Sequence, residues 1–380
     1  MDGEEVLENR GFLLSVFISA VVFSQVTPMV SNLVVTPRLY DASINALGRY
    51  ALPFDAYDYI SENERDVVIA LGSSKMREAF DGNLYSETIS SDYDFFNVAY
   101  GGEYPYVRVI EIEAIVSLRP KLVLLEIGPN TFSELSTPIS EGIQIRMAQL
   151  MALGERYDLS HLQHVLEKED YELLPNSRLE RMEILAGYFS EAAEKSISFQ
   201  FDLEDPRYPC VDHPESVRCV PTPNNASFDK YLRYPTQFTN HIQEIREGIR
   251  TVTIEEFYGP NLDKYINRSY HNPEGVHNKN QMAYEFMIKR LTEEGINVIL
   301  VGLPYNPVLI ERLAPAQWDY YNNSVSEYSQ NDAITVVDLI WNTDWTEEEF
   351  NDYSHLSREG EIKLSEILSQ EISPLLDLDG

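Results

Sequence analysis

Positive charge is scarce in this sequence. Only 29 Lys and Arg stand against 62 Asp and Glu among 380 residues, a formal net charge of −33. Such a surface repels polyanions and anionic headgroups, which argues against any nucleic-acid-binding role. The acidic excess is spread along the chain and not gathered into one tail, as on a solvated surface. In molar salt the Debye length falls to about 3 Å, so self-repulsion is screened while carboxylates stay hydrated. Adaptation to concentrated salt is therefore expected ahead of a specific basic partner.

Cysteine is almost absent. The two present, Cys210 and Cys219, sit nine positions apart in a Pro-rich stretch. They are expected to close a small disulfide loop, the alternative being two unrelated thiols. Sequons at Asn225, Asn267 and Asn322 point to the same oxidising exterior. No Gly-Lys-Ser/Thr follows a strand, so a P-loop is unsupported. His271 and His277 fit no strong metal-ligand spacing, and His161 and His164 read as residues on a helix face. No metal and no cofactor are expected. Internal repeats and low-complexity tracts are missing as well.

What the chain does have begins with an uncharged run from Gly11 to Pro37, strongly apolar over Phe12–Phe23. About 20 helical residues span a ~30 Å hydrocarbon layer. Residues 1–37 are expected to be a signal anchor or transmembrane helix with the rest of the chain extracytoplasmic; a cleaved signal peptide and a buried helix are the alternatives. No clear small-x-small cleavage motif follows, which favours the anchor. Residues 38–64 read as a connecting segment.

Short apolar runs then recur. Asp66–Gly72, Phe95–Ala99, Lys121–Gly128, Ile296–Pro304 and Ile334–Leu339 read as buried strands, and helical periodicity over Gln281–Glu294 stops at Gly295. A last amphipathic helix is predicted from about Glu359 to Leu376. Strands alternating with helices predict an α/β fold: a three-layer α/β/α, flavodoxin-like sheet of about five parallel strands. It would be built from 65–135 and 281–380. Residues 136–280 are too long for a connection and read as a large, mostly helical insertion.

Ligands in such sheets bind at the C-terminal strand ends. Three segments with reactive residue types fall there, and a fourth lies near the C-terminus. Gly72-Ser73-Ser74 places a hydroxyl at a strand-to-helix turn. Gly101-Gly102 allows close backbone approach. Gly128-Pro129-Asn130 puts an amide at a strand end. Asp352-Tyr353-Ser354-His355 provides an Asp–His couple before the last helix. Arg77 could hold an anionic group or merely serve local structure. Among 62 acids no glycosidase-like carboxylate pair can be singled out.

Together these segments resemble the SGNH (GDSL-like) hydrolase superfamily over roughly 65–135 and 281–376. The resemblance implies Ser74 as nucleophile, Gly102 and Asn130 as oxyanion-hole residues, and Asp352 with His355 completing the triad. Two positions depart from the usual blocks: Ser73 stands where the family has Asp, and Thr131 where Asp often follows the Asn. The first departure leaves Ser73 as an alternative nucleophile. The Gly-Ser-Ser variant, the anchor and the insertion look more loosely like extracytoplasmic DltD- and alginate-acetylation-type members. The implied function is a membrane-anchored serine esterase or O-acyltransferase acting on an acylated glycan or other surface polymer. The alternative is an inactive SGNH-fold protein of envelope binding or assembly.

Overall fold

The computed structural model describes residues 14–23, 56–90, 92–100, 103–133, 160–172, 232–235, 278–341, 344–352 and 354–376, with a few isolated positions between them. Five strands form one sheet: β1 (Asp66–Leu71), β2 (Tyr93–Asn97), β3 (Leu122–Ile127), β4 (Asn297–Gly302) and β5 (Ile334–Asp338). Every pairing is parallel, in the order β2-β1-β3-β4-β5. The α/β class with about five parallel strands is the one expected.

The helices are α1 (Ser74–Ala79), α2 (Gly82–Thr88), α3 (Pro105–Arg108), α4 (Ile112–Ser117), α5 (Leu162–Val165), α6 (Lys168–Glu172), α7 (Lys279–Glu293), α8 (Pro307–Arg312), α9 (Pro315–Tyr328) and α10 (Arg358–Leu376). Alternate residues of each strand point to opposite faces, and both faces are apolar. Ile69, Leu71, Val123, Leu125, Val298 and Leu300 pack into one core with Ile115 of α4 and Met287 of α7. Val68, Ala70, Leu122, Leu124, Ile299 and Val301 pack into a second core on the other side. There Leu364, Leu368, Ile372 and Leu376 of α10 form the covering stripe.

Local chemistry sets both ends of α7, of which the Gly295 stop was the one expected. The Asn278 side chain accepts N–H bonds from Asn280 and Gln281 at 3.0 and 3.2 Å and so starts α7. Gly295, at φ 73°, ends it in the left-handed region that glycine tolerates. The same N-terminus fixes the segment after β3. Asn278 donates to the Phe132 carbonyl at 2.7 Å and Asn280 to the Ser133 carbonyl at 2.6 Å.

In this strand order the chain runs outward from β1 to β2 and then crosses back to β3. The crevice at that switch point lies beyond the C-terminal ends of β1 and β3. Gly72-Ser73-Ser74 and Gly128-Pro129-Asn130 follow those two strands directly.

Residues 14–23 are helical, with Leu14, Val16, Phe17, Ile18, Val21, Val22 and Phe23 exposed. Among the described residues no helix is long and apolar enough to cross a membrane. The remainder of the expected anchor, most of the insertion, Cys210, Cys219, Asn225, Asn267, His271 and His277 lie outside the described residues. Asn322 is exposed on α9, where its side-chain oxygen accepts from Trp341 Nε1 at 3.1 Å.

Candidate active site

The turn after β1 needs a residue without a side chain. A Cβ on Gly72 would lie 2.5 Å from Glu126 Oε2 and 2.7 Å from Met76 Cβ. That close approach lets Glu126, at the end of β3, accept the Ser73 backbone N–H at 2.7 Å. The Ser73 hydroxyl also donates to the Glu126 carboxylate, at 2.9 and 3.0 Å, and it accepts the Lys75 N–H as the N-cap of α1. Ser73 is thereby committed to the turn.

Ser74 faces the other way. Its Oγ lies 2.8 Å from His355 Nε2, and His355 Nδ1 lies 2.7 Å from Asp352 Oδ2. The two partners come from positions 281 residues apart in the chain. The Asp–His loop is braced on several sides. Asp352 Oδ1 accepts the N–H groups of Ser354 and His355, both at 2.9 Å. Asn351 N–H donates to the His355 carbonyl at 2.8 Å, and the Asn351 side chain donates to the Leu356 carbonyl at 3.0 Å. Asn306, buried at the start of α8, reaches the Asp352 carbonyl at 3.4 Å.

The couple is sheltered: the side chains of His355 and Asp352 are only 16% and 10% exposed. Burial by itself would lower the imidazole pKa. The carboxylates of Asp352 and Glu78 outweigh burial and the opposing Arg77 charge, pushing His355 up to about 9. Burial works against the Asp352 charge as well, yet the His355 charge and the hydrogen bonds hold that carboxyl below its usual range. Arg77 pairs with Glu78 at 2.8 Å, so its part here is in the local field around the imidazole.

Asn130 sits on the turn after β3. Thr131 closes that turn, its hydroxyl accepting the Gly128 N–H at 2.8 Å and its own N–H donating to the Gly128 carbonyl at 2.9 Å. Thr131 thus carries a turn-closing role at the position where the resembled family often has Asp. Asn130 Oδ1 accepts from Lys75 Nζ at 2.6 Å and from the Tyr305 hydroxyl at 2.9 Å. Lys75 is itself buried, hydrogen-bonded to Tyr305 and 3.0 Å from Glu126 Oε1. Asn130 Nδ2 has no partner among the described residues. A cavity opens beside it, lined by Gly72, Ser73, Glu103, Arg108, Asn130 and Thr131 among others.

No protein-family model matches this chain, and no curated protein matches it either. The site therefore stands on its geometry.

Of the residues singled out from the sequence, Ser74, His355 and Asp352 meet in one hydrogen-bonded line. Asn130 and Ser73 lie on the adjoining turns. Gly102 lies outside the described residues. His161 stacks on Phe286 with ring centroids 5.3 Å apart, and His164 belongs to α5; neither appears in the contacts of the line. Sequence reasoning missed Lys75, Glu126 and Tyr305. One signal was available: Glu126 is the lone acid in the otherwise apolar, fully buried strand Leu122–Ile127. An acid there needs a partner.

Proposed function

We propose that this chain is a serine-dependent ester hydrolase or O-acyltransferase of the SGNH type. The observation that carries this reading is the line Ser74 Oγ, His355 Nε2, His355 Nδ1, Asp352 Oδ2, with spacings of 2.8 and 2.7 Å. Those are the contacts a general base needs to take a hydroxyl proton and to be held in the correct tautomer while doing so.

The chemistry then runs in two halves. Neutral His355 takes the Ser74 proton on Nε2 as Ser74 Oγ bonds to the ester carbonyl carbon. The carbonyl π pair moves onto oxygen, where Asn130 Nδ2 and backbone N–H groups, those of Ser74 and Gly102 by the family resemblance, supply donors. Collapse expels the alkoxide, which takes the proton from His355, and leaves an acyl ester on Ser74. Water, or the hydroxyl of an acceptor sugar, repeats the sequence and frees Ser74.

A short acyl ester of a glycan or other surface polymer is the proposed substrate. The proposed location is the membrane surface, with the domain extracytoplasmic. The uncharged run from Gly11 to Pro37 and the exposed apolar helix at 14–23 support an anchor. The net charge of −33 supports a salt-rich milieu.

The test is turnover of a small acetyl ester by wild type and by Ser74→Ala, with circular dichroism as the folding control. The expected result is a folded variant at background rate. A folded Ser74→Ala with wild-type turnover would remove the nucleophile and the proposal with it.

A further inference from the structure

Resting on the hydrolase reading above, we propose that Lys75 is a positioning residue whose ammonium fixes which edge of the Asn130 amide meets the developing oxyanion. A carboxamide has two nearly isosteric orientations, and in only one does its NH2 face the pocket. The other would set oxygen lone pairs against a negatively charged oxygen. The choice is made by the groups behind the amide. There Lys75 Nζ and the Tyr305 hydroxyl both stand within hydrogen-bond distance of Asn130 Oδ1, at 2.6 and 2.9 Å.

These two partners differ in kind. A phenol can turn its hydroxyl to accept from a flipped amide. An ammonium has three donors and no acceptor, so a flipped Asn130 would press NH2 against NH3+. Lys75 therefore makes the selection one-way. Burial disfavours its charge, but Tyr305 and Glu126 outweigh that and hold its pKa above the ordinary lysine value. It is a fixed donor and not a second base.

Glu126 makes the arrangement tolerable in the interior. It sits 3.0 Å from Lys75 Nζ and is itself 5% exposed, so the pair brings no net charge beneath the pocket. The same carboxylate holds the backbone N–H and hydroxyl of Ser73, the residue before the nucleophile. One buried ion pair thus couples the turn that carries Ser74 to the amide that faces the oxyanion. Gly128 leaves room for it: a Cβ there would lie 2.7 Å from the Tyr305 hydroxyl and 3.3 Å from Lys75 Nζ.

The test compares wild type, Lys75→Met, Asn130→Ala and the double variant in the full chain, with p-nitrophenyl acetate as substrate. Lys75→Met is expected to lower kcat about 10- to 100-fold, part of what losing an oxyanion donor costs, with little change in KM. In the Asn130→Ala background the same substitution should cost nothing further, because its target is gone. The His355 inflection in the pH profile should persist in Lys75→Met. Lys75→Met within about twofold of wild type, or an equal loss with and without Asn130, overturns the positioning role. So does an Asn130→Ala variant with wild-type rates. Should Lys75→Met unfold because Glu126 is left unpaired, Lys75→Met/Glu126→Gln carries the same comparison with the charges balanced. A wild-type protein that neither turns over the ester nor labels with a fluorophosphonate sinks the hydrolase reading itself. An active wild type with additive Lys75 and Asn130 losses sinks only the role given to Lys75.

Discussion

Asp352→Asn keeps the shape of the side chain at the back of the site and removes its charge. Its effect can be worked through atom by atom. Oδ1 of Asp352 accepts two backbone N–H groups, from Ser354 and His355, both at 2.9 Å. An asparagine placed there keeps its oxygen on those two donors, since the reverse orientation would oppose NH2 to both. Its NH2 then faces His355 Nδ1, which must accept instead of donate. The ring proton moves to Nε2, against Ser74 Oγ at 2.8 Å, and the base has become a donor. The same change in the serine-protease triad lowers kcat about 10⁴-fold, and a loss of that order is expected here.

A second consequence is thermodynamic. Raising His355 from 6.5 to about 9 against the opposing burial corresponds to about 3 kcal/mol favouring its protonated form, with Asp352 the largest favourable influence. A raised folded pKa means this stabilisation is present in full below the unfolded value near 6.5 and is lost as pH rises through about 9. Asp352→Asn should therefore cost more stability at mildly acid pH than at alkaline pH. The assays are kcat for a small acetyl ester, imidazole titration by NMR with His355→Gln for assignment, and denaturant melts across that pH range. A kcat within about tenfold of wild type, or an unmoved His355 titration, would refute the tautomer argument.

Four further outcomes are expected. Wild-type kcat/KM should rise with pH and level only near 9, because the base must be neutral and its carboxylate neighbours favour the cation; a rate flat from acid to alkaline pH would exclude His355 as base. Ser73→Ala should remain active while Ser74→Ala does not, since the Ser73 hydroxyl is spent on Glu126; equal loss in both, measured on folded protein, would reopen which serine attacks. Gly72→Ala should destabilise by about 1–3 kcal/mol in denaturant melts, because its Cβ would sit 2.5 Å from Glu126; an unchanged midpoint would contradict the close approach. Melting temperature should rise from dilute buffer to molar NaCl as the repulsion within a net charge of −33 is screened; a flat or falling curve would count against salt adaptation.

Much of the sheet was legible because strands buried on both faces read as nearly continuous apolar runs. Leu122–Ile127 and Asn297–Gly302 are of that kind. The helices between β4 and β5 were not. The buried face of α9 is Trp318, Tyr321, Ser324 and Tyr328, a stripe of aromatics and one serine that a count of aliphatic residues passes over. Ser74, Asn130, Asp352 and His355 could be picked out because each follows a strand end or precedes a helix, and because Asp-x-x-His has a known use. Lys75, Glu126 and Tyr305 could not be paired from sequence. Lys75 and Tyr305 are 230 residues apart, and the apolar run around Glu126 marks that acid as needing a partner without saying which. Their role follows from who stands behind the amide, which only folding decides.

The proposed chemistry requires Ser74 to be a live nucleophile, and covalent labelling reads that directly. Wild-type protein is treated with a fluorophosphonate, digested, and mapped by mass spectrometry, with His355→Ala in parallel. The predicted result is one phosphonyl adduct on Ser74 in wild type and none in the variant. An unlabelled wild type, or an adduct on Ser73 with Ser74 untouched, would contradict it.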